Sequence, residues 1–304
     1  MSRLQKLRNL YQFIKANHHL LPAHKKSYSR VENEFIHNLL KGKANFIEFE
    51  RKNIKWRISL KDQGISKKIF SVGSYEEKNL SYISSFLEHF NLSSGFILDI
   101  GANIGIPSIP LAKNFEDLKI LSFEPVLETY NILKSNIDLN KLSERVVPYN
   151  LGVGSAFEKL FINYSSDSLG TSEIILSTDY TEGNSEHIQV ISLDQFLLKE
   201  NIDESKINFA WVDIQGFEGE LIKGGNKTLQ NINIFMEIWP FGLERNKGDQ
   251  IVMDYINENY HSFIPDDSFS NKYDLNHNIK ISNFKTYYNN LKQNNNWASV
   301  LFIK

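Results

Sequence analysis

The sequence predicts an α/β fold in which a mostly parallel sheet carries helices on both faces. Short apolar runs recur along the chain, and several of them end in an acidic residue. Each of these runs is followed by a turn and then by apolar residues at helical spacing. Apolar runs bounded by turn residues are typical of buried parallel strands, and their alternation with helices is typical of βαβ units.

The first strand of this predicted sheet is the run that contains Asp99. It continues directly into the segment Gly101-Ala-Asn103-Ile-Gly105. Glycine adopts dihedral angles that other residues avoid, and without a Cβ atom it lets a ligand approach the backbone. The segment therefore predicts a cradle at the carboxyl end of the strand, with a plain structural connection as the alternative. Its spacing, Asp-x-Gly-x-Asn-x-Gly, differs from the Gly-x-Gly-x-x-Gly of dinucleotide-binding turns.

A helix is predicted over residues 106–113, because two prolines fall within its first turn, where a missing N–H costs least. The second predicted strand, residues 118–123, is followed by Glu124, which lies 25 residues after Asp99 (124 − 99). In doubly wound sheets an acid at this place can accept hydrogen bonds from ribose hydroxyls. Glu124 is therefore a candidate ligand of a ribose.

The third predicted strand covers residues 146–149 and leads into a flexible turn over residues 150–154. Asn150 opens this turn. Two interpretations stay open for it, because an asparagine here can contact an adenine edge or serve ordinary turn chemistry. Residues 155–190 then predict a β-rich excursion with a polar loop.

Two later strands repeat the design of the first. Residues 209–212 end at Asp213 and a glycine-bearing turn, and residues 232–236 end at Glu237. Open α/β sheets bind ligands at the edge formed by the carboxyl ends of their strands. We therefore expect four acids to meet at that edge, namely Asp99, Glu124, Asp213 and Glu237.

Residues 1–45 predict a basic amphipathic helical extension. Residues 1–31 contain seven basic residues and no acid, so the rest of the chain carries −9 (−2 − 7). Leucines and other apolar residues in this segment recur at steps of three and four. Such a helix packs on its own domain or on a partner in a homo-oligomer, and a basic one can also make peripheral contact with an anionic membrane.

Residues 46–92 predict a β-hairpin and a lead-in helix, and residues 93–304 predict the main ligand-binding domain. Apolar residues alternate with period two from Ala44 to Val72, which indicates an antiparallel hairpin or a small meander. Glu76 lies just before the helical pattern. It is a candidate for contact with a cofactor, and an acid at the start of a helix is the ordinary alternative.

Composition excludes several classes of function. The chain has no cysteine, which excludes disulfides and thiolate chemistry, and its eight histidines show no spacing typical of zinc ligands. The net charge of −2 gives no reason to expect a nucleic-acid partner. No apolar run approaches the ~20 residues that span a bilayer, so no transmembrane segment and a cytoplasmic location are expected.

Taken together, these segments resemble the FkbM-like family of S-adenosylmethionine-dependent methyltransferases in order and spacing. The resemblance covers residues 53–304. Its most specific part is the Asp-x-x-Gly-x-Glu element after the fourth strand. The segments that carry it are 99–105, 123–125, Asn150, 191–194, 213–218 and 237–240.

The resemblance implies a Rossmann-like class I methyltransferase domain with a seven-stranded sheet. It also implies S-adenosylmethionine as the methyl donor and a hydroxyl of a sugar, glycan or secondary metabolite as the acceptor. The residues that would hold the methionine part are Asp99, Gly101, Asn103 and Gly105. Glu124 would hold the ribose, Asn150 would lie near the adenine, and Asp213 and Glu218 would lie near the methyl and the acceptor. The family commonly has a lysine where this chain has Trp211.

A hydroxyl is a poor nucleophile while it keeps its proton, so a general base or a metal ion must assist the transfer. The sequence predicts that Asp213 or Glu218 takes this proton and that Glu237 orients the acceptor. A divalent cation held by Glu237 and Asp213 is an alternative that no ligand spacing supports. For Glu218 the structural alternative is an acid favoured by the dipole at a helix N-terminus.

Two other functions stay open from the sequence. One is a nicotinamide-dependent oxidoreductase on a similar sheet, against which the missing third glycine argues. The other is a non-catalytic module that keeps the cofactor pocket for interaction. The acids retained at several strand ends argue against it.

Overall fold

The computed structural model describes residues 36–165, 168–175, 185–270 and 272–304. The described strands are, in chain order, β1 (Phe46–Arg51), β2 (Ile54–Ser59), β3 (Gly95–Ile100), β4 (Leu118–Phe123), β5 (Val146–Tyr149), β6 (Gly152–Gly154), β7 (Glu158–Ser165), β8 (Ser168–Ile175), β9 (Ser185–Ser192), β10 (Ile207–Val212), β11 (Asn233–Ile238), β12 (Ser262–Pro265), β13 (Ile279–Lys280) and β14 (Ala298–Ile303). The α-helices are α1 (Ile65–Val72), α2 (Glu77–His89), α3 (Ser108–Asn114), α4 (Leu127–Leu139), α5 (Leu193–Lys199), α6 (Glu218–Leu229), α7 (Pro240–Arg245), α8 (Asp249–Asn259) and α9 (Phe284–Gln293).

The main sheet has the strand order β13-β12-β14-β11-β10-β3-β4-β5. Its five strands from β11 to β5 pair in parallel, whereas β14 runs antiparallel to β11 and β12. This arrangement confirms the predicted α/β fold. The eighth strand, β13, adds two residues at the edge to the seven that the family resemblance implies.

The register of the parallel strands brings their carboxyl ends level. Asp99 in β3 is paired with Ser122 of β4 on one side and with Trp211 of β10 on the other. Val212, the last residue of β10, is in turn paired with Met236 of β11. The residues that follow β3, β4 and β10 therefore leave the sheet along one edge.

Alternate residues of each parallel strand face opposite sides of the sheet, and both sides are covered by helices. Ile97 of β3 packs in a cluster with residues of α2, α3 and α4, whereas Leu98 packs with residues of α5, α6 and α8. Both side chains are fully buried. Burial on both faces explains why these strands are almost continuously apolar.

A second sheet, with the order β6-β9-β7-β8, forms the β-rich excursion. The prediction of a flexible turn over residues 150–154 is wrong for its second half, because Gly152–Gly154 forms β6 and pairs in parallel with β9. The physical reason is a long-range contact, because these residues pair with residues 190–192 of β9. Gly154 also packs closely on α6, where a Cβ atom on Gly224 would lie 1.8 Å from its carbonyl oxygen.

The N-terminal part of the described chain contains the predicted hairpin, formed by the antiparallel strands β1 and β2. The period-two pattern does not continue to Val72, because residues 65–72 form α1. Asp62 starts this helix, since its two carboxylate oxygens accept hydrogen bonds from the backbone N–H groups of Gly64 and Ser66, both at 2.8 Å.

The basic extension predicted for residues 1–45 lies mostly outside the described residues. Among the helices of the described ranges, none has both the length and the apolar character needed to cross a membrane.

Candidate active site

The loop after β3 is tied to both neighbouring strands. The backbone N–H groups of Gly101 and Ala102 donate hydrogen bonds of 3.0 and 2.9 Å to the carbonyl oxygen of Phe123, at the end of β4. Gly101 has a φ of +89°, and a Cβ atom there would lie 1.9 Å from the carbonyl oxygen of Asp213. Only glycine fits where the end of β10 meets the loop so closely.

Glu124 is held by this loop. Its Oε2 accepts a hydrogen bond of 2.9 Å from the backbone N–H of Asn103, and its Oε1 accepts one of 2.9 Å from the backbone N–H of Val126. Burial raises the pKa of the Glu124 carboxyl to about 8. Each oxygen of a carboxylate can accept about two hydrogen bonds, so Glu124 retains acceptor capacity.

Asn150 supports Glu124 through the backbone. Its side-chain amide donates hydrogen bonds of 3.0 and 2.8 Å to the carbonyl oxygens of Glu124 and Pro125. The amide nitrogen therefore fixes the end of β4, which is a long-range contact and not the local turn chemistry of the alternative interpretation. A contact between Asn150 and an adenine stays a prediction.

Asp99 lies in the core rather than at an open surface. Ser108, at the start of α3, donates a short hydrogen bond to Oδ2 of Asp99, and the same hydroxyl lies 2.6 Å from the hydroxyl of Ser122 in β4. Burial raises the pKa of Asp99 to about 7. Asp99 thus connects β3 with the first turn of α3, directly below the glycine loop.

A cavity opens above the carboxyl ends of β3 and β10. Its wall includes five residues that the sequence analysis singled out, namely Glu76, Gly101, Asn103, Glu124 and Asp213. Gln215 and two aromatic side chains, Tyr75 and Trp211, complete this part of the wall. The fold therefore assembles residues from four separate segments of the chain around one space.

Glu76 faces this cavity from the N-terminus of α2. It occupies the N-cap position with a left-handed φ of +53°, yet its side chain makes no capping hydrogen bond. Burial, together with the negative charge of Asp213, raises the pKa of Glu76 to about 8. The contact of Glu76 with a cofactor stays a prediction, and so does its alternative role as an acid at the helix start.

Asp213 and Glu237 are joined by the side chain of Gln215. The amide nitrogen of Gln215 donates hydrogen bonds of 2.6 Å to Oδ1 of Asp213 and 2.9 Å to Oε1 of Glu237. Burial raises the pKa of Asp213, and the hydrogen bond from Gln215 lowers it. Burial and the negative charges of Asp213, Glu218 and Glu76 raise the pKa of Glu237.

Gln215 is the residue that sequence reasoning missed. It is uncharged, and it stands in a turn where only the acids and the glycine attracted attention. The sequence could have indicated Gln215 by its position, because it lies between the strand-end acid Asp213 and the glycine of the turn, Gly216. A side chain there leaves the same edge of the sheet.

Glu218 is the first residue of α6 and is buried. Its Oε1 accepts a hydrogen bond of 3.3 Å from the backbone N–H of Gly216, and burial raises its pKa to about 7. Oε2 has no hydrogen-bond partner among the described residues. The contact with Gly216 supports the alternative in which Glu218 stabilises the N-terminus of α6. The catalytic role of Glu218 stays a prediction.

In the part of the chain that the structure describes, no three His, Asp or Glu side chains are arranged to hold a metal ion.

The main sheet, with helices on both faces and a cavity at the carboxyl ends of its strands, has a Rossmann-like α/β arrangement. The family model described as the methyltransferase FkbM domain matches residues 99–286, and the chain belongs to this family. The family decides between the functions left open by the sequence: the protein is a methyltransferase rather than an oxidoreductase or a non-catalytic module.

Two fungal relatives are similar in sequence. Methyltransferase sdnD of Sordaria araneosa is 26% identical over 225 residues, which cover 65% of this chain and 83% of that protein. Methyltransferase 1 of Beauveria bassiana is 25% identical over 145 residues, which cover 42% of this chain and 57% of that protein.

Solved structures of methyltransferases are also similar. The O-methyltransferase from Bacillus cereus in complex with SAH has 10% identity, covers 97% of both chains and gives a TM-score of 0.43. TYW2 of M. jannaschii in complex with AdoMet has 14% identity, covers 74% of this chain and 76% of that chain, and gives a TM-score of 0.38.

Proposed function

We propose that this protein is an S-adenosylmethionine-dependent O-methyltransferase whose acceptor is a hydroxyl of a sugar, glycan or secondary metabolite. The observation that carries the proposal is that Glu124 and Asp213 line one cavity. One of these acids suits a ribose and the other suits a reacting hydroxyl. The proposal requires the methyl donor and the acceptor hydroxyl to bind in the same cavity, and these two acids supply a candidate contact for each.

The residues present suit the proposed methyl donor. Glu124 keeps acceptor capacity for ribose hydroxyls after its two backbone hydrogen bonds. Glu76 and Asp213 add carboxyl groups to the same wall, and carboxylates complement the positive charge of a sulfonium and an amino group. Gly101 and Asn103 supply backbone that a ligand can approach closely.

S-adenosylmethionine, when bound, supplies an electrophilic methyl group. Asp213 is proposed to accept the proton of the acceptor hydroxyl, because it lines the cavity and its raised pKa brings it closer to the pH at which the enzyme works. Glu237, which shares the Gln215 amide with Asp213, is proposed to orient the acceptor. The rest of the catalytic effect is positioning, which can contribute ~7–11 kcal/mol.

The donor is tested by calorimetry of the purified protein with S-adenosylmethionine and, separately, with NAD. We expect binding of S-adenosylmethionine alone. A folded protein that binds NAD and not S-adenosylmethionine would contradict the proposal.

The base is tested by the release of S-adenosylhomocysteine over a panel of sugars and hydroxylated metabolites. We expect Asp213→Asn to lose turnover by about a hundredfold or more while it still binds the donor, since general-base catalysis contributes about 10²–10⁴-fold. Glu218→Gln is measured beside it. Near-normal turnover in both variants would refute the assignment of the base.

The basic segment 1–31 is proposed to make peripheral contact with anionic membranes, and its seven basic residues support this. Sedimentation with anionic and with neutral liposomes tests it. Binding to the anionic liposomes that weakens with salt is expected, and equal recovery from both would remove the proposal.

A further inference from the structure

We infer that Gln215 is a positioning residue, whose side-chain amide fixes the carboxyl groups of Asp213 and Glu237 relative to one another at the site of methyl transfer. The inference rests on the proposed function, because it assigns a task to a residue of the same site. It adds a residue that is neither an acid nor a glycine to those expected from the sequence.

The first support is the geometry of the side chain. An amide nitrogen carries two hydrogens, and here one contact goes to Asp213 Oδ1 at 2.6 Å and the other to Glu237 Oε1 at 2.9 Å. Both acceptor oxygens must then present a lone pair to Gln215. The amide therefore fixes the orientation of the two carboxyl groups relative to one another.

The second support is the backbone of the turn. Gln215 has a φ of +55°, in the left-handed region that residues other than glycine rarely adopt. Non-glycine residues in such conformations persist where the surrounding structure determines them, and they cluster at functional sites. A glycine would form this turn at a lower cost, but it would contribute no side chain to the site.

The third support is that α7 and the residue that follows it hold the turn in place. Asn246 donates a side-chain hydrogen bond of 3.0 Å to the carbonyl oxygen of Gly216, and Arg245 donates one of 3.4 Å to the carbonyl oxygen of Gln215. A Cβ atom on Gly216 would lie 2.5 Å from the carbonyl carbon of Gly242. The direction in which the Gln215 side chain leaves the turn is therefore set by α7.

The amide also separates two acids in a strongly acidic environment. The groups that influence Asp213 and Glu237 from the elements around them are Tyr75 and Glu76 before α2, Asp99 of β3 and Glu218 of α6. Lys68 of α1 acts on Glu76, and Arg245 contacts the backbone of Gln215. A donor placed between Asp213 and Glu237 favours their ionised forms, so its removal should raise both pKa values.

The test measures proton release when S-adenosylmethionine binds. Calorimetry in buffers of different ionisation enthalpy, repeated over a range of pH, gives the number of protons released and the midpoint of that release. A cation bound beside protonated carboxyls favours their ionisation, so release is expected in the wild type. In Gln215→Met, which keeps a similar length and has no donor, we expect the midpoint to move upward by about one pH unit.

A matched control is available on α8. The amide of Gln250 donates a hydrogen bond of 2.7 Å to Oδ1 of Asp254 at the exposed surface. Gln250→Met therefore removes the same kind of contact away from the cavity. We expect its midpoint to equal that of the wild type, and a shift equal to that of Gln215→Met would overturn the inference.

A second variant separates positioning from a merely structural role. Gln215→Gly relieves the left-handed backbone and removes the side chain, so we expect an unfolding temperature no lower than that of the wild type, together with the upward shift in proton release. A lower unfolding temperature with an unchanged midpoint would overturn the inference. This variant also decides the matter if Gln215→Met does not fold.

The two proposals fail in distinguishable ways. Failure of the wild type to bind S-adenosylmethionine removes the proposed function and the inference with it. Binding with the same midpoint in the wild type and in both Gln215 variants removes the role of Gln215 alone.

Discussion

The backbone N–H of Asn103 donates a hydrogen bond of 2.9 Å to Oε2 of Glu124. Asn103 belongs to the loop after β3, whereas Glu124 follows β4, so this bond joins the two segments that are proposed to hold the methyl donor. Asn103 has a left-handed φ of +49° in this loop. Glu124 therefore helps to hold the loop in its conformation.

This relationship predicts the effect of Glu124→Gln. The amide group would place a donor against one of the two backbone N–H groups, of Asn103 or of Val126, and would leave that group without an acceptor. Leaving a buried donor unsatisfied costs about 1–3 kcal/mol, so we expect the free energy of unfolding to fall by about that amount. Urea denaturation measures this loss, with the exposed Glu144→Gln as the control. Equal stabilities of the two variants would contradict the prediction.

Gly101 is expected to tolerate no side chain. In Gly101→Ala the Cβ atom would meet the carbonyl oxygen of Asp213 at 1.9 Å, and this oxygen is backbone that cannot rotate away. We expect a loss of about 3 kcal/mol or more in the free energy of unfolding, from overpacking added to backbone strain. Urea denaturation measures it.

The control for this substitution is Gly42→Ala. Gly42 also has a positive φ, of +79°, but no heavy atom lies within 4 Å of a Cβ atom there among the described residues. The free energy of unfolding of Gly42→Ala should therefore fall only by the cost of a left-handed backbone at alanine, about 1–2 kcal/mol. Similar losses for the two alanine variants would show that strain, and not the contact with Asp213, explains the need for glycine at position 101.

The sequence was sufficient to predict which acids stand at the strand ends, because parallel strands connected by helices must present their carboxyl ends at one edge. It was not sufficient to predict which of them face the cavity. Asp99 and Glu124 both lie at this edge, yet Asp99 is bonded to Ser108 in the core and Glu124 lines the cavity. The difference arises from tertiary contacts between α3 and β4, which no local pattern encodes.

The same limit explains the elements that were missed. The helix α1 interrupts an alternating pattern because Asp62 caps its first turn. The strand β6 replaces a turn because its residues pair in parallel with β9. In each case one distant or side-chain contact outweighs the local preference.

Asn136 of α4 connects the hairpin with the glycine loop. Its side-chain nitrogen donates hydrogen bonds of 3.0 Å to the carbonyl oxygen of Ile104 and 3.1 Å to that of Arg57, and its Oδ1 accepts from the N–H of Arg57. Asn136→Ala would leave these backbone groups without partners. We expect a loss of about 2–4 kcal/mol in the free energy of unfolding, measured by urea denaturation.

Asn140, one turn further along α4, provides the comparison. It makes the same pair of contacts with the backbone of Lys55, at 3.0 and 2.7 Å, but at an exposed site where water can replace them. Asn140→Ala should cost about 1 kcal/mol or less. If Asn140→Ala cost as much as Asn136→Ala, burial would not be the reason for the importance of Asn136.

The raised pKa values predict an unusual dependence of stability on pH. Glu76 and Glu124 have pKa values of about 8 in the folded protein, against the ordinary value of 4.5. Between these values the folded state binds more protons than the unfolded state, so stability falls as the pH rises. We therefore expect the unfolding temperature of the protein without ligand to be higher at pH 5 than at pH 8.5, as measured by calorimetric scans.

Glu76→Gln should reduce this dependence, because an amide does not ionise when the pH rises through the pKa of the lost carboxyl. Glu77→Gln is the matched control, since Lys52 and Ser74 lower the pKa of the neighbouring Glu77 and its contribution to stability has the opposite sign. The unfolding temperature of Glu77→Gln should therefore still fall between pH 5 and pH 8.5, as it does in the wild type. An unfolding temperature that rises over this range in the wild type would show that the carboxyl groups around the cavity ionise without cost.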